Sequence, residues 1–183
     1  MINDGRLTYV LLMPYSFFKV MAAREFVDKL INFVFSIFEV FIFLLFFKPE
    51  IGGFSIGWQS LLLFFLSLFL AVILYFFISL NLGFIGFWST EVWAPRFLFM
   101  VLVWLLAGDY FPLDVLPVGL YKTLRLLPFP YLVYFPVKVL LGKVSLVEGV
   151  EFLFVLFLWT GIFYVFTKFV WQKGLKVYTA QGV

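Results

Sequence analysis

Few residues in this chain can do chemistry, and their absences narrow its function as much as their positions. None of the 183 residues is histidine or cysteine. That removes the imidazole general base, the thiolate nucleophile, the disulfide and the commonest zinc ligands together. Carboxylates remain, but no clustered pair is visible. Asp109 and Asp114 flank Pro112, a placement that suits the capping of turns or short helices better than paired acid–base work. No glycine-rich run followed by Lys and Ser or Thr occurs, so no phosphate-binding loop is present. Gly52-Gly53 and Gly83 with Gly86 read as helix-end punctuation. No catalytic, cofactor-binding or metal-ligating residue is expected, and the chain is not expected to be an enzyme.

Glu39 is a different case. It is the only charge inside the apolar run 30–47, where an ionised group costs at least about 2.5–3.5 kcal/mol on insertion scales. It must therefore face other helices. It either lines a substrate path, is protonated, or serves as a hydrogen-bonded packing residue. Glu148 and Glu151 precede the run 152–170 and are read as compensating a helix dipole.

The elements that position these groups belong to a membrane. Apolar residues make up 65% of the chain and charged ones 13%, against roughly 45–50% and about 25% in soluble domains. The 29 phenylalanines and six tryptophans would be a liability in water and are ordinary in lipid. A spanning helix needs about 20 mostly apolar residues. The runs 30–47, 58–82, 92–108 and 152–170 meet or approach that length, the third only if Arg96 snorkels to the interface. They are continuous rather than alternating, which favours helices over a barrel. Lys48-Pro49 should end the first run, and Trp58, Trp88, Trp93 and Trp171 fall near predicted span ends as an interfacial belt does. The expected fold is all-α: a single-domain, multi-pass transmembrane helical bundle of four predicted spans plus two short re-entrant or interfacial helices.

Charge sets the expected orientation. With both termini cytoplasmic, the inner segments 1–29 and 171–183 and the span ends hold Arg6, Lys19, Arg24, Lys29, Arg96, Lys168, Lys173 and Lys176. The outer side holds Lys48, Lys122, Arg125, Lys138 and Lys143. The excess on one side predicts a plasma or inner membrane protein with both ends inside. A net charge of +3 gives no reason to expect nucleic acid.

The segment 109–150 is too apolar for a free loop and too broken by Pro112, Pro117, Pro128, Pro130 and Pro136 to span. It divides into pieces near 118–127, with Lys122 and Arg125 on one face, and 131–141, ending at Gly142. About ten helical residues reach roughly 15 Å, half a bilayer. Such pieces either dip into the membrane and return, covered by protein, or lie in its interface.

The order of features in this part of the chain resembles the C-terminal half of ABC-2-type permeases, the membrane subunits of ATP-driven exporters. The matching run begins Gly108-Asp109-Tyr110-Phe111-Pro112-Leu113-Asp114-Val115-Leu116-Pro117 and continues with Leu127-Pro128-Phe129-Pro130-Tyr131. Pro136, Gly142 and the closing Trp171-Gln172-Lys173-Gly174-Leu175-Lys176 complete it. Asp4-Gly5-Arg6-Leu7 and Leu11-Leu12-Met13-Pro14 resemble a family segment on the cytoplasmic side. The resemblance implies that Asp109, Pro112, Asp114, Pro117, Pro128 and Pro130 belong to an outer re-entrant region. It also implies that ATP is bound by a separate ATP-binding-cassette ATPase subunit, with no cofactor in this chain, and that a second permease copy or paralogue completes the pair. Asp4, Gly5, Arg6, Leu7, Pro14, Tyr15 and Lys19 are then the expected ATPase contacts, with Phe17, Phe18, Val20 and Met21 adding apolar surface. Family members have six spans and the match starts near the third, so the first two are expected to be missing and transport by this chain alone is not expected. A structural or assembly subunit, or an intramembrane enzyme, are the alternative readings.

Overall fold

The computed structural model describes residues 2, 5–47 and 57–178. Among these there is no strand. Asp4, Lys48, Pro49, Gly52-Gly53 and the tail beyond 178 lie outside them. The chain forms two compact units: one holds 3–54, the other 55–179.

The first unit contains α1 (Leu7–Leu11) and α2 (Phe17–Phe47). The expected boundary between a cytoplasmic segment 1–29 and a span from 30 is not a break, because a single 31-residue helix runs through it. No Gly or Pro interrupts 17–47, and the charged residues near its start are good helix formers. Glu25 and Lys29, one helical turn apart, pair at 3.5 Å. At 1.5 Å per residue α2 is about 46 Å long, enough to cross a bilayer and project beyond it.

The second unit is built on α3 (Trp58–Phe84) and α7 (Leu146–Val177). These two helices run parallel. Asn81 meets Thr167, 86 positions on, and nearly the same offset joins Leu63 with Gly149, Phe77 with Tyr164 and Phe84 with Trp171. Ser67, Ala71, Leu74 and Ile78 of α3 are buried, spaced alternately four and three apart as in a coiled-coil seam. Gly149, Phe152, Leu156, Thr160, Thr167 and Gly174 of α7 are buried as well. Helices in lipid gain nothing from hydrophobic exclusion when they pair, so small residues that allow close approach and polar groups that bond across the seam must hold them. Here Gly149 lies against Leu63, where an added Cβ would stand 2.9 Å from Cδ1, and Gly174 lies against the Phe87 ring. The Asn81 Nδ2 donates both to Thr167 Oγ1 at 2.7 Å and to the Phe77 carbonyl at 2.8 Å.

A parallel pair requires the intervening chain to return to the level where α3 began. The 310 turn Ile85–Phe87 leads to α4 (Trp93–Leu106), with Pro95 tolerated in the first turn. This corrects the expected span 92–108. Among the described residues three helices are long and apolar enough to cross a membrane, whereas α4 has 14 residues and reaches about 21 Å against roughly 30 Å of hydrocarbon. It stops because Gly108, at φ 87°, takes the left-handed turn that ends helices. The segment after it completes the return. It contains a 310 turn (Leu113–Val115), α5 (Val118–Leu124), a second 310 turn (Phe129–Tyr131) and α6 (Tyr134–Leu140). Gly142, at φ 65°, closes α6. The Ser145 hydroxyl accepts from the Glu148 amide and the Glu148 carboxylate accepts from the Ser145 amide, so a capping box starts α7.

Candidate functional site

The segment between α4 and α7 is where polar groups converge, and each is placed by the short helices around it. Tyr134 donates its backbone N–H to the Ala107 carbonyl at 3.0 Å, tying the start of α6 to the end of α4. Tyr131, Tyr134, Phe135 and Val139 are buried. Phe135 stacks on Phe152 of α7 with ring centres 4.0 Å apart. The descending arm, α5 and its exit, is held by Arg125, whose guanidinium lies 5.1 Å from the centre of the Phe152 ring. The Tyr131 hydroxyl donates to the Arg125 carbonyl at 2.7 Å, and Trp159 Nε1 of α7 donates to the Leu126 carbonyl at 3.1 Å. Beyond that point the chain turns at Phe129, which packs on Phe99 of α4 at 6.0 Å. Phe99 in turn meets Tyr75 of α3. The segment thus runs down beside the helices and returns, with the Arg125 and Leu126 carbonyls answered by side chains of Tyr131 and Trp159.

One cluster dominates its electrostatics. Lys138 Nζ donates to Asp114 Oδ1 at 2.7 Å and to the Tyr134 hydroxyl at 3.2 Å. Its ammonium sits 5.3 Å and 5.8 Å from the Tyr134 and Tyr121 rings, distances that fit cation–π attraction. The Lys138 ammonium, followed by the Tyr134 hydroxyl, holds the Asp114 carboxyl below the usual carboxylate range. Burial pulls Lys138 down, but the Asp114 hydrogen bond and the Tyr121 and Asp114 charges outweigh it, so the amine ends above its ordinary value. Burial pushes the Tyr131 phenol up to about 12, and burial first, then the bond with Asp114, raises Tyr134. All four groups keep one protonation state near neutrality, so the cluster is a fixed brace rather than a proton shuttle.

Several expected placements change. Asp114 makes no cap bond to its 310 turn; it reaches across to Lys138 instead. Asp109 is exposed enough to stay near water, yet partial burial raises its carboxyl above the usual range. Of Lys122 and Arg125, expected on one helix face, Lys122 is exposed, while Arg125 is the C-cap of α5, covers Phe152 and approaches Glu151 at 3.8 Å. Glu151 is therefore engaged by a side chain rather than by a dipole alone. Pro112 and Pro117 precede the first 310 turn and α5, and Pro128 precedes the second 310 turn. Pro130, inside that second turn, is fully buried.

In the other unit, Gly5 adopts φ 69° and accepts from Thr8, opening α1. Arg6 is exposed and Leu7 is fully buried. Phe17, expected as an apolar contact, is buried, with Phe18 edge-on at 5.7 Å. Pro14, Tyr15 and Lys19 are exposed, and Tyr15 and Lys19 line a groove of 620 Å³ with Val20, Ala23, Arg24 and Val27. Glu39 is exposed on α2, as is every residue from 28 to 47. It belongs to a different unit from the 107–145 segment.

Sequence reasoning missed Lys138, Tyr134 and the Asn81–Thr167 pair. Asn81 could have been found, because an amide in the charge-free run 58–82 must find a partner in lipid. Nothing in spacing alone links Asp114 to Lys138, 24 positions away. No group of three or more possible metal ligands occurs among the described residues.

Neither the curated proteins nor the solved structures hold a match to this chain. A family model described as "ABC-2 family transporter protein" matches residues 1–182. The all-helical architecture, its long apolar helices and that match over nearly the whole length agree, and the chain belongs to the ABC-2 transporter family as a membrane component.

Proposed function

We propose that this chain is the permease subunit of an ATP-driven exporter, forming the translocation path while a separate ATP-binding-cassette subunit hydrolyses ATP and a second permease copy completes the assembly. The observation that carries the reading is the family match over residues 1–182. The bracketing of a folded, returning segment between two parallel long helices is consistent with it. In this reading the outer re-entrant region expected at 109–150 is the segment ending where α7 begins at Leu146, both termini are cytoplasmic and the membrane is the cell membrane. Tyr15, just before α2, and Lys19, in its first turn, face the ATPase, and Glu39 lines the path.

Two measurements test it. Lys143 precedes α7 and Lys176 sits in its last turn; the helix is about 48 Å long, so this reading puts them on opposite membrane faces. The native chain has no cysteine, which makes single-cysteine labelling unambiguous. A membrane-impermeant maleimide added outside cells should label Lys143→Cys and leave Lys176→Cys unlabelled; the reverse pattern overturns the orientation. Crosslinkers placed at Tyr15→Cys or Lys19→Cys should capture the ATP-binding-cassette subunit in the assembled complex. Their failure there, with export absent on reconstitution, would leave the structural or assembly-subunit reading in its place.

A further inference from the structure

Two hollows of the second unit share walls. The first, of 400 Å³, is a half-open hollow lined by α3, α4, the Phe129 turn and α7, with Leu82, Ile85, Phe129 and Phe166 among its lining and Asn81 as its one amide. The second, of 510 Å³, lies at the end of α7 and is lined by Phe169, Val177, Lys173 and Lys176. Trp88 and Val170 line both. Each volume is in the ~300–1,000 Å³ range of small-ligand pockets.

The chemistry of the two hollows is unequal. The inner one is walled almost wholly by aliphatic and aromatic side chains; the Asn81 Nδ2 is committed to Thr167 and Phe77, and the buried Asn81 Oδ1 is its one polar atom without a partner. It offers a slot for a hydrocarbon chain. In the outer one, Lys173 and Lys176 are exposed, and among the described residues neither is joined to a carboxylate. No acidic residue lines that hollow. Basic pockets at the ends of membrane helices suit anionic lipid headgroups, with each ammonium near the surface adding to the attraction. An exposed tryptophan between the two, Trp88, is the residue type that sits where chain meets headgroup.

We infer that these adjoining hollows, which meet at Trp88 and Val170, bind one acidic phospholipid, an acyl chain lying in the slot under Phe129 and the phosphate held by Lys173 and Lys176. The site is separate from the ATP-driven reading and needs no ATPase. It joins the tip of the returning segment, α4 and α7 through one ligand, so occupancy stiffens the contact between Phe129 and the helices.

The test uses the full chain in nanodiscs of phosphatidylcholine carrying a small fraction of a photoactivatable lipid with a diazirine in its acyl chain. Phosphatidylglycerol and phosphatidylcholine probes with identical chains are compared, and labelled peptides are mapped by mass spectrometry. The phosphatidylglycerol probe should mark the peptides holding Leu82, Ile85 and Phe166 on the order of tenfold more than the phosphatidylcholine probe. Lys173→Gln with Lys176→Gln should bring the two probes level, and Lys173→Arg with Lys176→Arg should restore the preference. Both lysines are exposed, so these variants test the charge without disturbing the core. Leu82→Trp, which fills the slot, should abolish labelling there by either probe. Equal labelling by both probes in the native chain, or a preference that survives loss of both lysines, overturns the site. Suppression of labelling by millimolar inorganic phosphate would show that the lysines take a free anion, and that also overturns the lipid assignment.

Discussion

The seam between α3 and α7 and the segment folded against it are held by opposite means. The seam is regular: buried positions recur three and four apart, its closest approaches are at glycines, and one amide crosses it. The returning segment is irregular. Its longest helices have seven residues, too few to be stable alone, and distant side chains hold them: Lys138 to Asp114, Tyr131 to the Arg125 carbonyl, Trp159 to the Leu126 carbonyl. Steric fit stabilises the first region and named polar contacts the second. Substitutions of volume should therefore damage the seam, and substitutions of charge or hydrogen bonding the segment.

The largest effect is expected where fit is tightest. A leucine at Gly174 would have to displace the Phe87 ring at its near atoms, and overpacking of this kind costs typically about 1–3 kcal/mol. Gly174→Leu should lower the thermal midpoint of the detergent-solubilised chain more than Gly149→Leu, because Leu63 meets Gly149 only with a terminal methyl that can swing away. Equal midpoints would remove the claim that close approach at Gly174 holds the seam.

Next comes the brace. Lys138→Met keeps the stem and removes the ammonium, leaving Asp114 without its main partner. Asp114 is half-exposed, so the cost is about 1 kcal/mol rather than the larger figure for buried ion pairs. The pH dependence follows from the directions of the shifts. The Asp114 carboxyl is held below its unfolded value, so its contribution is present above about pH 4 and fades as pH falls through the folded value. Lys138 is raised above its unfolded value, so its contribution is complete below about pH 10 and is lost as pH rises through the folded value. Asp109 acts in the opposite sense: its raised carboxyl favours the protonated folded state as pH falls toward 4. Asp109→Asn should therefore make the acid-side loss of stability steeper, and Asp114→Asn should flatten it. Melting curves from pH 3 to 7 that are unchanged in both variants would contradict this assignment.

The two smallest effects separate local structure from surface charge. Ser145→Ala removes half of the capping box at the start of α7 and should cost about 1 kcal/mol, seen as faster amide exchange in the first turn. Glu151→Gln breaks a 3.8 Å approach to Arg125 in which Glu151 is largely exposed. Such pairs contribute between about 0 and 1 kcal/mol and are screened by salt. Any change should disappear in high salt, and a shift that persists there would place Glu151 deeper in the segment's support than its exposure implies.

The sequence by itself determined that this is a helical membrane protein without histidine or cysteine chemistry. Long charge-poor runs, proline punctuation and the absent residue types are local properties, and no packing arrangement can reverse them. It also marked where one short helix stops: the piece 131–141 ends at Gly142, which takes the left-handed conformation the chain needs there. Only the tertiary structure decided what those elements do together. Composition alone did not show that α4 would fall short of a full crossing: 92–108 is apolar apart from Arg96 and reads as a span, whereas the helix covers Trp93–Leu106. The pairing of Asp114 with Lys138 depends on bringing residues 24 apart to one place, which α6 packing against α3 and α7 achieves. The parallel register of those two helices, with Asn81 opposite Thr167, arises from complementary small residues on separate runs. A sequence displays each run's pattern but not which run it fits.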